Sequence, residues 1–478
     1  MFAFSPSGRR PTPDSVPLGL VVGLLLFGLV GAALPTRAQD AGPDTSPDTS
    51  AVLSLSLEEA LERARTESFP VRRADAERAA AQARRRQALG VFLPQITARE
   101  RGVATTDPVN AFGLTLKQER FTQQDFAVGA LNNPDRVDHF ASEIEVRQPI
   151  LNLDGIFERR AATDAARAAV EQGERTRAVV SFRVKEGYYG LLLAQRRIGV
   201  LDSALSAARA NLKQARALFE QGLIDKADRL AAEVRVSELE SQRTEAVAAR
   251  ENAGDRLRLL IGVDESVRVA PTDTLARETA SLGGLSVRAA NQRRSDMQAL
   301  RYRVDAAEET VRSRWLAFVP TLNAQGTTGW YDDAPLGTRG QSWTVGVSLT
   351  WSLFEGYQQV GAAQEAEATL QRAQVALQEQ ALRNEVEITA ARRDLRAARQ
   401  RIEQARRAVE QAEESLRIRS DRYAEGMART TDLLQAEATL AERRLSYLRA
   451  LYDHNMAVYR LELLTEQSLA RGPEETRE

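Results

Sequence analysis

Long parts of this chain carry an apolar side chain at every seventh position, with a mostly small residue three positions later. In the second half the apolar row is Ile388, Leu395, Ile402, Val409, Leu416 and Tyr423, followed by Ala391, Ala398, Ala405 and Ala412. The matching rows lie 204 positions earlier, at Val184, Leu191, Ile198, Leu205, Leu212 and Phe219, followed by Gly187, Ala194, Leu201, Ala208 and Ala215. A seven-residue repeat sustained over about five heptads predicts coiled-coil packing of long helices.

The two halves also share an order of elements. Phe92-Leu93-Pro94 and Phe318-Val319-Pro320 each follow a helical pattern, and the residue before a proline avoids the helical region. Two strand patterns come next, and then a leucine-to-glycine stretch at 151–155 or at 353–356. Each half therefore reads as helix, strand, strand, long helix, turn and helix. A helix over Phe157–Phe219 would be about 95 Å long at about 1.5 Å per residue.

A glycine interrupts each long helical pattern, and an aspartate follows it six residues later. The pairs are Gly222 with Asp228, and Gly426 with Asp432. The structural explanation of both aspartates is that they cap the helices that begin after the turns.

The last strand pattern has two different faces. Trp343, Val345, Val347, Leu349, Trp351 and Leu353 alternate with Thr344, Gly346, Ser348, Thr350 and Ser352. The two tryptophans are eight residues apart, or roughly 26 Å at about 3.3 Å per residue, which approaches the height of a lipid-facing band of about 25 Å flanked by aromatic residues. This pattern favours a membrane strand over a strand of a soluble sandwich.

Four strands are expected, at about 95–105, 141–152, 321–331 and 342–353. Four strands cannot close a barrel around a pore, so several copies of the chain would have to contribute. The strands alone do not decide whether the oligomer has two, three or four subunits.

The ends of the chain read as processing and linker segments. Arg9 and Arg10, an uncharged run over Leu18–Leu34 and Thr36-Arg37-Ala38 predict a signal peptide over 1–38, so that the mature chain would start at Gln39. A retained anchor is the alternative, but the run is shorter than the roughly 20 residues that a spanning helix needs. We expect a flexible linker at 39–52, repeats at 53–262 and 285–466, a connector at 263–284 and a disordered tail at 467–478.

Composition excludes several classes of function. The chain of 478 residues has no Cys and two His, and its formal net charge is −1 with no block of like charge. Disulfides and thiolate metal sites are therefore excluded, and nucleic-acid binding gains no support. Catalytic motifs such as a P-loop, HExxH or GxSxG are missing, so we expect no enzyme, no metal and no cofactor. His454 lies at heptad spacing from Leu461, and packing is its expected role.

Together, the two proline motifs, the two leucine-to-glycine stretches and the two glycine turns resemble those of the TolC-like outer membrane efflux family. The resemblance covers residues 53–466. It implies a mainly helical protein that forms a homotrimer in the cell outer membrane, with a twelve-stranded β-barrel and a long α-helical barrel in the periplasm. Its partners would be a periplasmic adaptor and an inner-membrane transporter, and it would be the passive exit duct of a tripartite efflux or type I secretion system.

The same resemblance suggests which residues form a gate at the periplasmic mouth. Asp432 matches a position whose three copies form an acidic ring, and Asp228 and Tyr423 match positions that link neighbouring turns. Arg429 lies one residue later than the usual linking arginine, and Gln435 occupies a second ring position. Gly222 and Gly426 would form the turns themselves.

Two points stay open at this stage. The first hairpin is longer than the second by 25 residues, and this excess, with Phe112, Phe121 and Phe126, could extend the strands, form an external loop or fold into the lumen. The rival function is that of a coiled-coil scaffold or periplasmic adaptor without a channel. An adaptor, however, should contain a compact biotinyl-like β segment, which this sequence lacks.

Overall fold

The computed structural model of the chain describes residues 51–280, 286–425 and 427–473. The expected signal peptide, nearly all of the expected linker and Gly426 lie outside these residues. The protein is mainly helical, and the order of its elements is the same in both halves.

Two long helices dominate the structure. They are α5 (Leu153–Glu220) and α9 (Gln358–Ala424), with 68 and 67 residues, or about 100 Å each. The other helices are α1 (Leu57–Glu67), α2 (Phe69–Gln87), α3 (Pro108–Lys117), α4 (Val128–Asn132), α6 (Lys226–Ile261), α7 (Val287–Arg293), α8 (Ser295–Leu316) and α10 (Thr430–Thr465). Within the three described ranges, no helix is both long and apolar enough to cross a membrane.

The heptad rows form the contacts between these helices. Val184 and Leu191 on α5 and Ile388 and Leu395 on α9 are buried, and so are most of the small residues of the second row. α5 packs against α2, α6, α8 and α10, and α9 packs against α8 and α10. The predicted coiled-coil packing is thus confirmed for the buried part of the rows, whereas Phe219 at the end of the first row is 38% exposed.

One antiparallel sheet contains four strands, which are in spatial order β2 (Gln95–Thr105), β3 (Val137–Leu151), β6 (Thr321–Asp332) and β7 (Gly340–Thr350). Their bounds agree with the expected ones to within a few residues, although Trp351 and Leu353 lie beyond the end of β7.

All four strands connect to helices at one end of the sheet, and the strands of each hairpin are joined to each other at the other end. Gln95 and Thr321 follow the helical segments directly, and Leu151 and Thr350 lead into α5 and α9. The connections β2–β3 and β6–β7 therefore both lie at the end of the sheet that is remote from the helices. We call this end the hairpin end.

The extra residues of the first hairpin form an ordered helical segment. It contains α3, a 3₁₀ turn at Gln123–Phe126 and α4, whereas β6 and β7 are joined by residues 333–339 alone. We call residues 106–136 the inserted segment. The extra residues fold into helices, and β3 begins four residues earlier than the expected strand.

Two small sheets tie the connector to the first and last segments that the structure describes. β1 (Ala51–Leu55) pairs in parallel with β4 (Val267–Pro271), and β5 (Glu278–Ala280) pairs antiparallel with β8 (Ala470–Pro473). The expected tail at 467–478 is thus wrong in part, because its residues 470–473 form a strand, and the expected linker ends before Ala51. The largest apolar core lies beside the β1–β4 sheet and includes Val184, Tyr188 and Ile261.

Candidate functional site: the helical turns and the faces of the sheet

The turn between α5 and α6 is built around Gly222. Its φ of +73° lies in the left-handed region, where a residue with a Cβ is strained. Asp225 begins the next helix, since its side chain accepts a hydrogen bond of 2.9 Å from the backbone N–H of Asp228. The capping explanation of Asp228 is therefore wrong: Asp225 holds the capping position, and Asp228 lies in the first turn of α6.

The turn between α9 and α10 differs in its cap. Arg429 occupies the position before α10 and makes no side-chain capping bond there. Asp432 lies in the first turn, where a carboxylate interacts favourably with the helix dipole. It does not occupy the capping position either, and its side chain is about half exposed, with Arg419 at 3.9 Å. At that distance the ion pair with Arg419 is weak, so the Asp432 carboxylate can still interact with solvent cations.

Tyr423 bridges the second turn within one chain. Its hydroxyl lies 3.4 Å from that of Thr430, which is buried at the start of α10. Among the described residues of a single chain, the expected links of Tyr423 to Asp228 or Arg429 are not formed. Links between neighbouring chains stay a prediction.

Two contacts near the turns were not singled out from the sequence. Arg229 lies over the ring of Phe219, with its guanidinium carbon 5.3 Å from the ring centroid, and it donates a 2.8 Å hydrogen bond to Glu233. Asn211 on α5 donates to Glu437 on α10 at 2.6 Å, and burial raises the pKa of Glu437. The spacing of four between Arg229 and Glu233 could have revealed the first contact, whereas the second joins positions 226 residues apart.

A buried polar network holds the connector against the helices. Tyr459 donates to the hydroxyl of Tyr189 at 3.0 Å, and Tyr189 donates to Glu278 at 2.6 Å. Burial is the main cause that raises the pKa of both tyrosines, so both remain neutral hydrogen-bond donors. Asn455 accepts from the backbone N–H of Glu278 at 3.0 Å. His454 is buried beside it on α10, as its packing role predicts.

A second buried cluster contains charged groups. Arg294 is 1% exposed and donates to Asp296 at 2.6 Å, and Arg175 lies 3.5 Å from the same carboxylate. Burial works to raise the pKa of Asp296, but the hydrogen bond from Arg294 and the charge of Arg175 outweigh it, so the pKa lies below its ordinary value. Arg175 also donates to Glu466 at 3.0 Å, which joins α5 to the end of α10.

The register of the sheet separates a polar face from an apolar face. Residues that pair directly across antiparallel strands point to the same side. Glu143 pairs with Arg99 and with Gly329, and Gly329 pairs with Ser342, so these positions share one face. The polar face is formed by Arg99, Arg101, Glu143, Glu145, Arg147, Asn323, Gln325, Thr327, Ser342, Thr344 and Ser348.

The opposite face is apolar and exposed in the single chain. Trp343, Val345 and Val347 are 75%, 72% and 68% exposed, and Ile96 on β2 is 69% exposed. Trp351 is 59% exposed beyond the strand, and its indole N–H donates to the carbonyl of Phe318 at 3.0 Å. An exposed apolar surface of this extent marks a contact with lipid or with another protein.

The sequence is similar to those of known outer membrane and secretion proteins. The sequence profile described as Outer membrane efflux protein matches residues 287–466. The chain is 24% identical over 332 residues to the alkaline protease secretion protein AprF of Pseudomonas aeruginosa. The aligned part covers 68% of this chain and 69% of the relative. Together these matches reach both repeats.

Solved structures share the fold. A membrane protein from Pseudomonas aeruginosa superposes with a TM-score of 0.75 at 17% identity, over 87% of this chain and 95% of that chain. The CmeC outer membrane channel of Campylobacter jejuni superposes with a TM-score of 0.74 at 15% identity, over 87% of each chain.

Proposed function

We propose that this chain is a channel subunit of the outer membrane that extends into the periplasm, as its matches to the outer membrane efflux protein profile and to AprF suggest. The observation that carries the proposal is the four-stranded sheet. Its apolar face is exposed, its polar face carries charges, and two of its strands, β3 and β7, lead into helices about 100 Å long.

The sheet must be completed by other copies of the chain. Among the described strands, β2 and β7 are hydrogen-bonded on one side only. Exposed sheet edges do not occur in the hydrocarbon region of a bilayer, so the edges would pair between subunits. In our proposal a homotrimer closes a twelve-stranded β-barrel with Trp343 facing lipid, and its long helices form an α-helical barrel.

The proposed role is that of a passive duct in a tripartite efflux or type I secretion system. A periplasmic adaptor and an inner-membrane transporter would be its partners, and the transporter would supply the energy. The helical turns would form the periplasmic mouth, with Asp432 of three chains near the axis. The duct itself would carry out no reaction.

Conductance of the purified protein tests this proposal. We expect native mass spectrometry in detergent to give a trimer, and planar bilayers that contain it to show discrete conductance steps. A coiled-coil scaffold would give neither. A stable monomer or dimer, or a trimer without conductance, would overturn the proposal.

A further inference from the structure

The inserted segment is attached firmly to the hairpin end of the sheet. Gln118, which follows α3, is fully buried, and its amide nitrogen lies 2.8 Å from the carbonyl oxygen of Asp138 and 2.9 Å from that of Asp332. The same nitrogen lies 3.1 Å from Nδ1 of His139. One side chain thus joins the inserted segment to both β3 and β6.

The inserted segment lies on the polar face of the sheet. Gly340 pairs with Tyr331, which pairs with Ala141, so all three belong to the polar face. A Cβ on Gly340 would overlap the carbonyl oxygen of Lys117, so the backbone of the segment occupies the space above that face. The Lys117 ammonium also lies 5.0 Å from the ring centroid of Tyr331.

The inserted segment has a small core of its own. Phe121 contacts Phe112 and Phe126 edge to face, with ring centroids 4.8 and 5.0 Å apart. The side chain of Asp107 caps α3, and Arg120 forms a 2.8 Å ion pair with Asp333 in the β6–β7 connection. These contacts give the segment a defined position.

One side of α3 faces away from the sheet and is apolar. At about 100° per residue, Ala111 and Gln118 lie on one side of the helix, and both are buried. Val109 and Leu116 lie on the other side and are 80% and 54% exposed. A segment that rests on the polar face would therefore direct Val109 and Leu116 into the space which that face encloses.

From this placement we infer that the inserted segment forms a second constriction of the duct, at the end remote from the helical turns. The inference rests on the proposed function, because the polar face encloses the pore only in a closed barrel. Three copies of α3, with Val109 and Leu116 facing the enclosed space, would narrow the outer exit and limit the size of the solute that passes.

Single-cysteine chemistry gives a direct test, because the chain has no native Cys. Leu116→Cys is incorporated into planar bilayers and treated on both sides with a water-soluble methanethiosulfonate reagent. We expect modification to lower single-channel conductance roughly twofold or more, because it adds bulk at a narrow part of the pore, and a reductant should restore the conductance. Val345→Cys, on the apolar face, is the matched control and should conduct as before.

A shortened variant gives an independent readout. Residues 108–132 are replaced by a short Gly-Ser loop, and trimer yield is checked first. We expect a higher conductance than that of the wild type and entry of larger polyethylene glycols in a size-exclusion series. If the shortened chain does not assemble, the Leu116→Cys result decides.

The failures of the two proposals are distinguishable. Wild-type trimers that conduct, together with Leu116→Cys channels that thiol modification does not change, would overturn the constriction and leave the duct intact. Wild-type trimers that do not conduct would overturn the proposed function and this inference with it.

Discussion

The hydroxyl oxygens of Tyr423 and Thr430 lie 3.4 Å apart and join the end of α9 to the start of α10. This contact is partly exposed, and exposed links contribute only about 0.2–1 kcal/mol each. A mouth narrowed by such links can widen on adaptor binding, because a partner shifts an equilibrium only by its differential affinity for the two states.

The double variant Tyr423→Phe with Arg429→Ser should therefore raise single-channel conductance without changing the trimer. It removes the tyrosine hydroxyl and the arginine that could link neighbouring turns. The measurement is planar-bilayer conductance, with Arg417→Ser as the control, since the ion pairs of Arg417 stay within α9. Wild-type conductance of the double variant would show that these side chains do not restrain the mouth.

Asp432→Ala should reduce cation selectivity and weaken block by multivalent cations. Three loosely paired carboxylates near an axis would attract cations, and alanine removes that charge. Reversal potentials in a salt gradient measure the selectivity, and Asp421→Ala, an exposed carboxylate paired with Arg417, is the control. Unchanged selectivity and block would place the acidic ring elsewhere.

Adjacent residues on β7 test the orientation of the sheet. Trp343→Asp should impair trimer assembly, because it places a carboxylate in or near hydrocarbon at a cost on the order of 1–3 kcal/mol per chain. Thr344→Asp lies on the polar face and should assemble normally. Trimer yield from membranes is the measurement, and equal yields of the two variants would argue against the assigned faces.

Asp296 should make stability depend on acid pH. Its folded pKa lies below the unfolded value, so its contribution is present above the unfolded pKa, about 3.9, and is lost as pH falls through the folded pKa. Asp296→Asn should lower stability at neutral pH by about 3–5 kcal/mol, because Arg294 stays buried without its carboxylate.

Thermal unfolding at several pH values measures this effect. Asp255→Asn is the control, since Asp255 is an exposed partner of Arg258 within α6. Similar melting temperatures of Asp296→Asn and the wild type at neutral pH would show that the buried cluster does not stabilise the fold.

The mature protein should begin at Gln39. The Thr36-Arg37-Ala38 site motivates this prediction, and the intact mass of protein extracted from membranes checks it. A mass that retains residues 1–38 would contradict the signal peptide.

Periodic features of this fold were predictable from the sequence, because periodicity is local. The heptad positions Val184 and Ile388 are buried as expected, and the alternation around Val345 gives the correct faces of β7. The helix caps were harder, since Asp225 and Asp228 both follow Gly222 and only the backbone conformation decides which of them caps α6.

The inserted segment and the chain ends depend on distant residues. The position of α3 is set by contacts of Gln118 with Asp332, which are 214 residues apart, and no local pattern carries that information. Residues Ala470–Pro473 form a strand by pairing with Glu278–Ala280, which is distant in sequence. The local sequence therefore predicted a disordered tail.

The two small sheets join the beginning of each repeat to its end. The first repeat begins at β1 and returns to it at β4, and β5 and β8 bracket the second repeat in the same way. Each repeat is thus a separate loop whose two ends meet, so neither loop can close until its whole repeat has been synthesised. Removing 470–478 would leave the second loop open and the first closed, and the two repeats would then differ in their resistance to proteolysis.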